Sequence, residues 1–235
     1  MPAEPPSPTE LRAVLFDMDG TLCDTEPAWM TAEHAMAEKY GSSWTYEDGL
    51  RLVGNNLIDA GVYIKERMNL PQSPADVVEE LVDGVVSVMA EQGVRWCPGA
   101  VELLAACNDA GLPTGLVTMS YDRFVTAILE ALPAGRFDVG VTGESVTRGK
   151  PAPDAYLMAA DLLGVRPEET VAIEDSPTGA DSAEVAGCVV LVVPNHVEVP
   201  ITPARVVVPT LAGVSPDGLK RLFLEYSDMA RPAER

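Results

Sequence analysis

From about Arg95 onward, short apolar runs alternate with stretches whose apolar residues recur at helical spacing. The apolar runs have no polar face, which is typical of parallel strands that helices cover on both sides. This alternation predicts an α/β fold with a doubly wound parallel sheet. The predicted strands are RAVLFD, PTGLVTMS, FDVGVT, TVAIED, CVVLVV and ARVVVP, and the predicted helices are PGAVELLAACNDAG, DRFVTAILEAL, PDAYLMAADLLG, PTGADSAEVAG and SPDGLKRLFLEY.

The segment after the first strand breaks this alternation. Between about Glu26 and Gly93 there are several helical patterns and no convincing strand, whereas a crossover helix needs far fewer residues. We therefore predict an inserted all-α domain at residues 26–93, which divides the core into residues 11–25 and 94–235. The Pro-rich residues 1–10 are predicted to form a flexible tail. The helical patterns of the insert are PAWMTAEHAMAEKY, YEDGLRLV, NLIDAGVYIKERM and PADVVEELVDGVVSVMAEQ.

Composition excludes several classes of function. A chain of 235 residues that is 47% hydrophobic can bury one sizeable core with an insert, but its net charge of −20 disfavours nucleic acids and anionic membrane surfaces as partners. No apolar run approaches the roughly 20 residues of a bilayer helix, and the first residues lack the pattern of a signal peptide. The four cysteines are scattered without a CxxC pair, so we expect reduced thiols and a cytoplasmic location.

Chemically active side chains follow several of the predicted strands. Because ligands of open α/β sheets bind beyond the carboxyl ends of the strands, we expect these side chains to converge on one pocket. Four carboxylates there would repel one another, and Lys150 alone does not balance them, so a divalent cation is implied, and all-oxygen ligands suit Mg²⁺. Such a site suits a phosphoryl group, and an aspartate can act as its covalent nucleophile. The candidates are Asp17, Asp19, Thr118, Met119, Ser120, Lys150, Glu174 and Asp175.

Four stretches, DMDGTLCDTE, VTMS, RGKPAPD and IEDSPTGA, resemble in order the four motifs of the haloacid dehalogenase (HAD) superfamily. The resemblance covers the whole core and implies a Rossmann-like HAD core, with the helical insert as that superfamily's smaller cap domain. The most similar group is that of the phosphatases and β-phosphoglucomutase-like enzymes.

The resemblance also implies roles for the candidate residues. Asp17 would attack phosphorus and form an aspartyl-phosphate, and Asp19 would protonate the leaving alcohol and later deprotonate water. The Asp17 carboxylate, the Asp19 carbonyl and Asp175 would hold Mg²⁺, with Glu174 binding it directly or through water. Thr118, Met119, Ser120 and Lys150 are expected to surround the phosphoryl oxygens, and Lys150 would also steady Asp17.

The resemblance favours hydrolysis of the phosphate ester over transfer of the phosphoryl group to a second position on the sugar. Sugar phosphomutases of this group place a His where this chain has Trp29, and an Arg in the cap loop that here reads LVGNNLIDAG. We therefore expect a phosphatase acting on a small phosphorylated metabolite, as a monomer or weak homodimer. Trp29, Arg51, Asn55 and Asn56 are the cap residues expected to face the substrate, whereas Lys65 and Arg67 could meet a second anionic group but would usually be a solvated face.

Other interpretations remain open at this stage. A phosphomutase is the main alternative, a non-catalytic phosphate-binding protein is another, and a glycosyltransferase with a DxD pair would leave Lys150 and Glu174 unexplained. Each motif alone could be an ordinary turn or helix cap, since Asp, Gly and Ser are favoured there for backbone reasons. Asp24 is expected to tie down the linker to the cap, and His34 and His196 are expected to have no special role.

Overall fold

The computed structural model describes residues 10–52 and 56–227. Six parallel strands form one sheet in the order β3-β2-β1-β4-β5-β6. The α/β class with a doubly wound parallel sheet is therefore confirmed. The strands are β1 Ala13–Phe16, β2 Thr114–Val117, β3 Val139–Val141, β4 Thr170–Glu174, β5 Val189–Val192 and β6 Arg205–Val207.

Helices cover both faces of this sheet. Leu104 of α5, Phe124 of α6 and Phe223 of α9 are buried in the apolar core that also contains Phe16 of β1. Tyr156 of α7 belongs to a second core, which packs on the opposite face with alanines of α7 and α8. These helices are α5 Ala100–Asp109, α6 Asp122–Glu130, α7 Asp154–Leu162, α8 Pro177–Ala186 and α9 Pro216–Tyr226.

The segment between β1 and α5 contains helices that pack mainly on one another. Two of them begin with local signals: Ser73 and Asp76 form a reciprocal capping box at α4, and Thr45 and Asp48 form one at α2. No strand occurs between residues 26 and 92 in the part of the chain that the structure describes. The helices are α1 Glu26–Lys39, α2 Tyr46–Leu50, α3 Leu57–Met68 and α4 Pro74–Gln92.

We call α1–α4 the cap helices; their assignment to a separate domain at residues 26–93 stays a prediction. One core helix is tied to them by Arg123, whose guanidinium lies 2.5 Å from Asp83 Oδ1 and 3.0 Å from Glu79 Oε2 of α4. Edge-on contact of the Trp29 and Phe124 rings, with centroids 5.4 Å apart, adds a second link to α6. The cap helices therefore stand over the sheet edge on which α6 begins.

The predicted tail lies almost wholly outside the described residues, as does Asn55. Among the described helices, none has the length and apolarity that a bilayer crossing requires. All four cysteines are free thiols, and three of them are buried.

Candidate active site

The order of strands places β1 beside β4, where the sheet changes its winding direction. The backbone N–H of Asp17 donates to the carbonyl of Ile173 at 3.0 Å, so the residue after β1 lies next to the end of β4. Strand order of this kind opens a crevice at the carboxyl edge, which is where ligands bind in such sheets. Asp17, Glu174 and Asp175 therefore meet at one point although about 157 residues separate the two motifs in sequence.

Lys150 lies in the middle of these carboxylates. Its Nζ donates to Asp17 Oδ1 and to Glu174 Oε1, both at 2.6 Å, and to the carbonyl of Val117 at 2.9 Å. The ammonium is almost wholly buried, and although burial by itself lowers the pKa of Lys150, Asp17 and Glu174 together outweigh it and raise that pKa. Lys150 is thus a fixed positive charge that satisfies three acceptors at the carboxyl ends of three different strands.

One ammonium does not balance the acidic cluster. A carboxylate oxygen from each of Asp17, Glu174 and Asp175 lies within 4.8 Å of the others. Burial and, next, Glu174 raise the pKa of Asp17 to about 8, and burial and, next, Asp17 raise the pKa of Asp175 to about 9. A cation offsets the repulsion between buried carboxylates at this spacing, and an all-oxygen ligand set suits a hard divalent ion. The residues present therefore fit a divalent metal.

Gly20 lets the turn after Asp19 approach this cluster. Its φ of +84° is the left-handed region that favours glycine, and a Cβ at this position would lie 2.0 Å from Asp175 Oδ2. Any side chain at Gly20 would thus displace Asp175.

Asp19 faces a different set of neighbours. Its carboxylate accepts hydrogen bonds from the hydroxyls of Thr25 at 2.7 Å, Ser120 at 2.8 Å and Thr118 at 3.1 Å. The Thr118 hydroxyl also accepts from the backbone N–H of Ser120 at 3.0 Å. The hydroxyls of Thr118 and Ser120, expected to surround phosphoryl oxygens, thus orient Asp19 here, and their contact with phosphate stays a prediction.

A cavity of about 130 Å³ opens above these groups, which is room for several water molecules or a small ligand. The core contributes Asp17, Asp19, Lys150 and the side chain of Met119, whose sulfur accepts from the backbone N–H of Lys150 at 3.2 Å. Trp29 of α1 lines the opposite side.

The other cap candidates lie elsewhere or outside the described residues. Asn56 caps α3, its side chain accepting from the backbone N–H of Asp59 at 2.9 Å, and neither Asn56 nor Arg51 belongs to the described lining of the cavity. Lys65 donates to the carbonyl of Leu70 at 2.9 Å, and Arg67 holds Asp48 through two hydrogen bonds of 2.9 Å. Lys65 and Arg67 thus serve the packing of the cap helices.

Three titratable residues that line the cavity were missed at the sequence level: Glu26, Glu33 and His196. His196 was expected to have no special role; the structure places it in the cavity lining, with its Nε2 2.8 Å from Asp24 Oδ1 at the base of the cap. The rule that loops after parallel strands reach the ligand could have found it, since His196 follows β5. Glu26 and Glu33 are seven residues apart and share a helix face with Trp29. Their helical spacing from Trp29 could therefore have identified them.

Comparison with known proteins gives a consistent result. A family model described as "haloacid dehalogenase-like hydrolase" matches residues 11–187. Hexitol phosphatase A of Escherichia coli strain K12 is 35% identical over 198 residues, which cover 80% of this chain and 86% of that protein. The phosphorylated carbohydrates phosphatase of Thermotoga maritima is 32% identical over 178 residues, covering 75% and 82%.

Among solved structures, CbbY from Rhodobacter sphaeroides in complex with phosphate is similar over almost its whole length. The TM-score is 0.79 at 28% sequence identity, and the match covers 89% of this chain and 99% of that one. The similarity therefore extends over the sheet and the cap helices together.

Proposed function

The chain belongs to the haloacid dehalogenase-like hydrolases, and on this premise we propose that it is a phosphatase that acts on a small phosphorylated metabolite through an aspartyl-phosphate. The observation that carries the proposal is the meeting of Asp17, Asp19 and Lys150 at the acidic cluster, on the floor of one cavity. Two relatives, a hexitol phosphatase and a phosphatase of phosphorylated carbohydrates, support a sugar phosphate or a similar phosphomonoester as the substrate.

The two aspartates divide the reaction between them. The Asp17 carboxylate attacks phosphorus, the bond from phosphorus to the ester oxygen breaks, and Asp19 gives its proton to the departing alcohol. Asp19 then takes a proton from water, whose oxygen attacks the aspartyl-phosphate and returns Asp17 with free phosphate. The three hydroxyl donors hold Asp19 in one orientation, while Lys150 keeps Asp17 in place and offers positive charge to the phosphoryl oxygens.

We propose Mg²⁺ as the metal, since the donor set consists of buried carboxylates. Asp17, Asp175, Glu174 and the backbone carbonyl of Asp19 would hold it. When bound, Mg²⁺ would neutralise negative charge on the phosphoryl oxygens and on the carboxylates.

Trp29 favours water as the acceptor. An indole at this place cannot exchange a proton with a sugar hydroxyl as a histidine could, and it packs edge-on against Phe124 at the cavity. Hydrolysis therefore remains the favoured reaction. A cytoplasmic location and a monomer or weak homodimer complete the proposal.

The first test is phosphate release in the presence and absence of a metal. With p-nitrophenyl phosphate, we expect turnover in millimolar Mg²⁺ and loss of turnover to background in excess EDTA, because the carboxylate cluster would otherwise repel the substrate. Added Mg²⁺ should restore the rate. Equal rates with Mg²⁺ and with EDTA would contradict the metal assignment, and no release from any phosphomonoester would contradict the phosphatase proposal.

A second test separates the role of Asp19 from that of Asp17. Asp19→Asn should lower kcat/KM for an alkyl phosphate by about 100-fold or more, because the alkoxide then leaves without a proton. The loss should be smaller for p-nitrophenyl phosphate, whose leaving group is stable as an anion. Steady-state kinetics with both substrates measure the difference. An equal loss of kcat/KM with the two substrates would show that Asp19 is not the general acid.

A further inference from the structure

The cap helices contribute two acidic side chains to a cavity wall that is otherwise mainly apolar. Glu26, Trp29 and Glu33 lie on one face of α1 and line the space opposite Asp17 and Lys150. Acidic side chains are unusual in a cavity whose ligand is expected to be a phosphate ester, since the nearest walls would repel it. The phosphoryl group is expected at Lys150, so the cap wall faces the leaving group instead.

Glu33 is the more deeply placed of the two. It is only 3% exposed, and the indole N–H of Trp44 donates to its Oε2 at 2.9 Å. In the described chain, no cation forms an ion pair with Glu33. A buried carboxylate without a cation is costly unless hydrogen-bond donors satisfy it, and one donor leaves most of its capacity unused.

A chain of aromatic and polar contacts fixes Trp44, the residue that donates to Glu33. The Trp44 ring meets Tyr63 edge-on, with centroids 6.0 Å apart. The Tyr63 hydroxyl donates to Asp48 at 2.8 Å, and Arg67 fixes the same carboxylate. Because its support is fixed, Glu33 presents a carboxylate at a defined place in the cavity wall.

Positive charge is scarce around the leaving group. Of the described residues that line the cavity, Lys150 and His196 alone can carry a positive charge, and Lys150 already pairs with Asp17 and Glu174. His196 pairs with Asp24. The three residues between the described ranges are Val, Gly and Asn, which carry no charge. A second anion on the leaving group would therefore meet Glu33 without a free counter-charge.

Resting on the proposed phosphatase function, we propose that Glu33 is a specificity-determining residue, which accepts hydrogen bonds from hydroxyl groups of the leaving group and excludes leaving groups that carry a second anion. The physical basis is twofold. A buried acceptor gains from a hydroxyl donor, and a buried carboxylate strongly disfavours a neighbouring carboxylate or phosphate. Exclusion of the wrong substrate is as much a part of specificity as attraction of the right one.

The test compares two substrates that differ at one group. In 2-hydroxyethyl phosphate the leaving group ends in a hydroxyl, and in 2-phosphoglycolate a carboxylate takes its place. Burial, the largest cause, raises the pKa of Glu33 to about 7, so the assay is run well above that pH to keep the carboxylate ionised. The measured quantity is the ratio of kcat/KM for the hydroxyl substrate to kcat/KM for the carboxylate substrate.

For the unaltered protein we expect a ratio of roughly 10 or more, and for Glu33→Gln a ratio lower by roughly 10-fold, because the amide keeps the shape and loses the charge. Trp44→Phe, which removes the donor that holds Glu33, should shift the ratio in the same direction. Glu38→Gln is the matched control, since Glu38 is exposed on the same helix, and its ratio should stay unchanged. Circular dichroism confirms that each variant is folded.

An unchanged ratio in a folded Glu33→Gln protein that still releases phosphate would overturn the inference about Glu33. A ratio near one in the unaltered protein would also overturn it. If neither these substrates nor p-nitrophenyl phosphate releases phosphate with any variant, the phosphatase proposal itself fails. Hydrolysis of p-nitrophenyl phosphate therefore distinguishes the two failures.

Discussion

Asp17→Asn should reduce phosphate release to background, a loss of roughly 10⁴-fold or more, because an amide cannot form the bond to phosphorus. The variant should still fold. Asn has the shape of Asp, and the exchange removes one of three crowded carboxylates while Lys150 keeps Glu174 and the Val117 carbonyl as acceptors. We expect lost activity with a melting temperature close to that of the parent protein.

Two measurements make this prediction specific to a covalent intermediate. Acid quenching during turnover, followed by intact mass analysis, should show the parent protein with one added phosphoryl group and Asp17→Asn without it. Asp109→Asn, at an exposed position of α5, is the matched control and should retain both activity and adduct. A phosphorylated Asp17→Asn protein would place the nucleophile elsewhere and contradict the assignment.

Lys150→Met should cost both stability and activity. The substitution leaves Asp17 and Glu174 buried without their ammonium partner, and breaking a buried pair in this way typically costs about 3–5 kcal/mol. Phosphate release should fall together with stability, since the charge that fixes Asp17 and faces the phosphoryl oxygens is gone. Urea unfolding of the metal-free protein measures the first effect, and steady-state kinetics measure the second.

The surface lysine Lys220 provides the control for that experiment. It is half-exposed and lies 3.6 Å from Asp217 in α9, so Lys220→Met should change the free energy of unfolding by about 1 kcal/mol or less. Mg²⁺ should return part of the stability lost in Lys150→Met, because a divalent ion would neutralise the same carboxylates. Equal effects of the two substitutions on stability would show that the buried pairs do not stabilise the protein.

The sequence was sufficient to predict the sheet and the residues that meet on the floor of the site. The predicted strands have apolar centres, because a parallel sheet between two helix layers exposes little of either face, and this pattern can be read without coordinates. The carboxyl-edge rule then brought Asp17, Lys150 and Glu174 to one place, since parallel strands all end at the same edge. These inferences depend on local pattern and on a topological rule, and both are properties of the chain alone.

Only the tertiary structure shows which residues line the walls of the site and which partners they contact. Helical spacing shows that Glu26, Trp29 and Glu33 share a face of α1, but it does not show what that face meets, and the choice of Asn56 as a substrate contact illustrates the difficulty. Whether a hydroxyl such as Thr118 turns to phosphate or to Asp19 depends on distances of an ångström or less between separate loops. Likewise, Glu33 takes its place because Trp44, from beyond the end of α1, donates to it in the interior. Side-chain partners in a buried site are set by long-range packing, which adjacent residues in the sequence do not encode.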